Sequence, residues 1–217
     1  LTSQYAIGAI NYQDDYRITD SDSWYAHHQQ HEWDLTIAGD TGIKIFSHHP
    51  GRDSYYNQHG YWTGDLGCCC GTFFGDKNIV LSMYDIVKEE ENDFIHVRVP
   101  FAHMDETLEL GHLLLLRCDD VYVALHFSNP YHIVTEGQYA GNEVISMGRK
   151  NAVCCEVGTS DDYHSFTDFV LKMKRKIPKF DRDSMMLTYG NIQITRDKRN
   201  MNGNLLDIHY DTYDSPY

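Results

Sequence analysis

The chain contains no run of about 18 or more apolar residues, the length a bilayer-crossing helix needs. An apolar stretch such as Leu113 to Leu116 suffices for a strand only. A nucleophile elbow, a P-loop, a dinucleotide fingerprint and an H-E-x-x-H motif are all missing, so hydrolase, kinase, nicotinamide and zincin chemistries gain no support. Basic residues are few. With 18 Lys and Arg against 32 Asp and Glu, the formal net charge of −14 opposes nucleic acid and anionic membranes as partners. The six cysteines, Cys68, Cys69, Cys70, Cys118, Cys154 and Cys155, lack the C-x-x-C spacing of a structural zinc site. Adjacent cysteines alternate across a strand and are badly placed to bridge each other, so buried thiols are expected, with room for one disulfide.

What the sequence does hold is a period of two. In FIHVRVP, Ile95, Val97 and Val99 share one face and Phe94, His96 and Arg98 the other, before Pro100 stops the strand. In VYVALHF the apolar face is Val121, Val123, Leu125 and Phe127, with Tyr122, Ala124 and His126 opposite. Further strands are read in HEWDLTI, GIKIFS and NIVLSMYDI. Hairpin turns are expected at Asp119-Asp120, at Gly190-Asn191 and near Asn202-Gly203. About ten to twelve strands result, which predicts an all-β chain, a two-layer antiparallel β-sandwich forming one domain over residues 1–217.

One segment departs from that period. From Ser165 to Lys176 the residues Phe166, Phe169, Val170 and Met173 recur at helical spacing, and Ser165 with Asp168 gives an S-x-x-D start. A single amphipathic helix is expected, ended by Pro178. Lys172, Lys174, Arg175, Lys176 and Lys179 concentrate positive charge there, either as a solvated helix end or as an anion-contacting patch.

The residues best suited to chemistry cluster between His31 and Asp85. His48 and His49 precede Pro50-Gly51, and His59 opens the turn His-Gly-Tyr-Trp with Tyr61 and Trp62. Such turns hold imidazoles and aromatic rings at a sheet rim, where proton transfer and sugar binding are both served. His48, His49, His59 and Tyr61 are therefore the catalytic candidates. Trp33, Trp62, Tyr55 and Tyr56 are the candidates for substrate binding by stacking. His27 and His31 of HHxxH would share a face, but no third ligand lies near them and no metal site is assigned.

In order, the segments LTSQYAIGAI, HEWDLTI, IFSHHPG, HGYWTGD, NIVLSMYDI, GRKNAVCCEVG and YHSFTDFV resemble the C-terminal β-sandwich region of heparinase II/III-like polysaccharide lyases. The resemblance covers most of these residues and is one of order and character, with no diagnostic signature. It implies a preceding α/α-toroid domain or chain, an active site in the cleft between the two, a uronic-acid-containing polysaccharide as substrate, and a secreted or extracytoplasmic location. It also implies β-elimination, with Tyr and His as base and acid. The opening, without Met, a charged leader or a cleavage signal, fits a processed product or the C-terminal part of a longer protein. Two other readings need no toroid. A non-catalytic carbohydrate-binding module would use the tryptophans and loop tyrosines as platforms, and a self-assembling homo-oligomeric subunit would use the acidic surface with its 16 tyrosines for packing.

Overall fold

A computed structural model describes residues 3–9, 33–38, 43–48, 69–74, 78–85, 94–148 and 150–195. Alternation sets the first layer. In β2 (Trp33–Ile37) residues 33, 35 and 37 are buried while 34 and 36 are partly exposed, the signature of a strand with one face on a core. It pairs antiparallel with β1 (Tyr5–Ala9) on one side and β3 (Ile43–His48) on the other. The sheet continues through β6 (Phe94–Arg98), β11 (Glu143–Met147) and β10 (Tyr131–Ile133), giving six strands in the order β1-β2-β3-β6-β11-β10.

A second six-stranded sheet faces it. Its order is β4-β5-β12-β9-β8-β7, built from β4 (Cys69–Phe74), β5 (Ile79–Asp85), β12 (Lys150–Thr159), β9 (Val121–Phe127), β8 (Leu113–Cys118) and β7 (Glu106–Leu110). Trp33, Leu35, Ile45, Ile95 and Val97 of the first sheet meet Leu114, Leu116, Val123, Leu125 and Val157 of the second in one apolar core. The fold is thus the expected antiparallel β-sandwich. The turn at Asp119-Asp120 joins β8 to β9, with Asp119 at φ 50° and its amide donating to the Asp105 carboxylate at 2.7 Å.

Among the described residues, elements cover the second sheet on both faces. Every residue of β9 is buried. Outside it lie α1 (Phe166–Met173) and a small third sheet, β13 (Lys179–Asp181), β14 (Met186–Tyr189) and β15 (Ile192–Thr195). Phe166, Phe169 and Met173 of α1 pack on Leu113, Leu115 and Tyr122, while Leu187 and Tyr189 of β14 pack on Leu81 and Cys154. This explains why LLLLRC and VYVALHF are apolar at successive positions: alternate residues serve two different cores. The fifteen described strands exceed the ten to twelve expected, because pieces as short as Tyr131–Ile133 and Lys179–Asp181 carry too few alternations to stand out.

The helix starts where its sequence signal places it and ends at Met173, short of the expected stop at Pro178. Ser165, in extended conformation, caps it by accepting from the Asp168 amide at 3.2 Å. Of its cations, Lys176 turns inward to Glu156 and Lys172 donates to the Tyr163 hydroxyl at 3.1 Å, so the basic segment is neither wholly solvated nor a single patch. Cys118, Cys154 and Cys155 are buried free thiols. Cys155 faces the sandwich core and Cys154 the opposite cluster, the alternation that keeps neighbours in a strand apart.

Candidate functional site

The outer face of the first sheet carries a compact ionisable cluster. Ile95, Val97 and Val99 anchor β6 in the core, which turns His96 and Arg98 to the other side. There Arg98 stands opposite Glu143 of β11 in the ladder. Glu143 Oε1 lies 3.0 Å from both His96 Nδ1 and Arg98 Nε, and Glu143 and His96 are only 3% and 7% exposed. The loop from β10 to β11 turns through Gly137 and Gly141, both at positive φ, and brings Tyr139 under the guanidinium, 3.1 Å from Arg98 Cζ to the ring centroid.

Glu143 therefore orients two different groups at once. The contact of His96 Nδ1 with the carboxylate fixes the orientation of the imidazole ring. Arg98 supplies a permanent positive charge with a planar donor set suited to carboxylates. Tyr139 adds a half-buried phenol and an aromatic face.

Of the residues picked out in sequence, His48 reaches this region: it closes β3 and pairs with His96 in the antiparallel register. Trp33 does not serve as a stacking platform. It is 1% exposed within the sandwich core, where its alternation with Leu35 and Ile37 places it, and its indole Nε1 has no partner among the described residues. His49, Tyr55, Tyr56, His59, Tyr61 and Trp62 lie outside the described residues, as do His27, His28 and His31. His96, Arg98, Glu143 and Tyr139 were not among the candidates. The available signal was the His and Arg set between buried Ile and Val in FIHVRVP, two ionisable groups side by side on one strand face.

A second polar cluster lies beneath the third sheet. Glu156, 3% exposed, accepts from Lys176 Nζ at 2.6 Å and from the Tyr189 hydroxyl at 2.7 Å. Burial first, then the neighbouring Glu156 carboxylate, pushes the Tyr189 phenol far above its ordinary range, so it stays protonated and can donate to Glu156. The His126 ring sits 5.4 Å from that of Tyr189. Its pKa falls to about 4, through burial first and the Lys176 charge second, which keeps the imidazole neutral. Burial likewise raises the Cys154 and Cys155 thiols, so neither is a nucleophile at neutral pH.

Among the described residues no group of three or more His, Cys, Asp or Glu is placed to hold a metal, and no helix is long and apolar enough to cross a membrane. Comparison of the chain with models of protein families, with curated proteins and with solved structures finds no match.

Proposed function

We propose that the chain is the β-sandwich portion of a polysaccharide lyase-like protein, and that it meets a uronic-acid-containing polysaccharide on the outer face of its first sheet. The observation that carries this reading is the Glu143-centred cluster of His96, Arg98 and Tyr139, with His48 paired to His96 in register. Elimination beside a uronate carboxylate needs three things: charge neutralisation at the carboxylate, a base for the adjacent proton and an acid for the departing oxygen. Arg98 answers the first. Imidazole and phenol are the chemical types that answer the other two.

The roles divide by exposure. Arg98 and Tyr139 are only partly buried and are assigned to contact the sugar, whereas His96 and Glu143 are nearly enclosed, with Glu143 holding both Arg98 and His96 in place. Completion of the site falls to the toroid that the family resemblance implies. The isolated chain is accordingly expected to bind the polymer without cleaving it.

The test is titration calorimetry with a heparin-derived oligosaccharide. Arg98→Gln and Tyr139→Ala should each weaken binding by about tenfold, the loss of roughly 1.4 kcal/mol from one charge-assisted contact or one stacked ring. Affinity unchanged in both variants would remove the first sheet from consideration. Unsaturated uronate formed by this chain alone, detected by its ultraviolet absorbance, would show that the active site needs no toroid.

A further inference from the structure

On the outer face of the second sheet, α1 and the third sheet cover different ground. The helix rests on Leu113, Leu115 and Tyr122, and the third sheet on Leu81, Ala152 and Cys154. Between them lies a cavity of about 510 Å³, a size typical of small-molecule sites. Leu113, His126 and Cys154 border it from the sheet, and Met173, Phe180 and Leu187 from the covering elements. Lys174, at the C-cap of α1, and Arg182, just beyond β13, are exposed residues of its lining.

Two independent observations point to an occupant. His126 is 4% exposed, yet its Nε2 has no hydrogen-bond partner among the described residues, an arrangement that buried polar groups avoid unless something else supplies the partner. Charge gives the second. Among the described residues no Asp or Glu lines the cavity, and the two formally charged ones that do, Lys174 and Arg182, are both cationic on a chain of net charge −14. Lys176 is committed to Glu156. Arg182 is held in position by donating to the Ser128 carbonyl and the Asn129 side-chain oxygen.

We infer that this cavity binds a small amphipathic organic anion, an aryl carboxylate or sulfonate. Its apolar body lies against Leu113, Phe180 and Leu187, its charged group meets Lys174 and Arg182, and one hydrogen-bonding group reaches His126. The site is on the opposite side of the sandwich from the Glu143 cluster and does not depend on the polysaccharide reading. Because Lys174 is exposed and His126 is enclosed, charge and hydrogen bonding can be tested separately.

The experiment compares two fluorescent probes with a similar ring frame, the anion anilinonaphthalene sulfonate and the neutral phenylnaphthylamine, on the full chain. Both should bind. Lys174→Glu should weaken the anionic probe by about tenfold, as expected for reversing one charge near a partly desolvated anion, while changing the neutral probe by less than about twofold. Nitrogen-15 spectra of the imidazoles should show His126 shifting on addition of the anionic probe. Equal weakening of both probes by Lys174→Glu, an unmoved His126 with probe bound, or failure of both probes to bind would each overturn the assignment.

Discussion

Glu156 is the residue whose environment is most demanding. A carboxylate 3% exposed on the face of a sheet is tolerable only because Lys176 and Tyr189 both donate to it. Lys176→Met should therefore destabilise the fold by about 3 kcal/mol, the lower end of the range for breaking a buried pair, since Lys176 keeps some contact with water. Denaturant midpoints would measure this, and adding Glu156→Gln to Lys176→Met should recover much of the loss. A double variant no more stable than the single one would show that the cost comes from lost packing. His126 imposes a different dependence. Its folded pKa of about 4 lies below the value of an unfolded histidine, so the unfolded chain binds the extra proton first on acidification. Stability should hold above about pH 6.5 and decline from there to about pH 4, by up to roughly 3 kcal/mol from this group. His126→Phe should flatten that part of a thermal-melting profile against pH; an unchanged slope would assign the acid sensitivity to other groups. None of this was legible residue by residue. His126 is one position in an alternating strand, and Glu156, Lys176 and Tyr189 meet only because β14 folds back over β12.

At the scale of elements, sequence and structure agree where the pattern is local. The turns at Asp119-Asp120 and Gly190-Asn191, the stop after Val99 and the capped helix after Ser165 all follow from short signals, and all are present. The third sheet and the double coverage of β8, β9 and β12 were not anticipated, since they arise from how segments stack rather than from the period within one segment. Gly158 illustrates the constraint. It lies in β12 beneath α1, where an added Cβ would come within 2.6 Å of Tyr163 Cε2 and 3.0 Å of Phe169 Cε2. Gly158→Ala should force both rings aside and lose about 1–3 kcal/mol, the usual cost of overpacking. Ser165→Ala, which removes a cap and no packing, should lose about 1 kcal/mol. If the alanine at 158 proves harmless in a melting experiment, the seat of α1 on β12 is looser than these distances state.

For the molecule as a whole, the governing quantity is the −14 charge. A polyanionic sugar approaching this chain is repelled at long range, and under the proposal it is attracted only close to the first sheet, where Arg98 stands. The two effects respond differently to salt. The Debye length falls from about 30 Å at 0.01 M to about 8 Å at 0.15 M, which screens repulsion across the whole surface but acts far less on a contact at a few ångströms. Association of a heparin-derived oligosaccharide should therefore become faster as salt rises through that interval, while dissociation changes little. A basic groove would give the reverse, a rate that falls steeply from the lowest salt upward. Stopped-flow association rates at several salt concentrations distinguish the cases. Slowing with salt would mean that the polymer meets a cationic surface other than the Arg98 face, and the polysaccharide reading would then have to be moved to that surface.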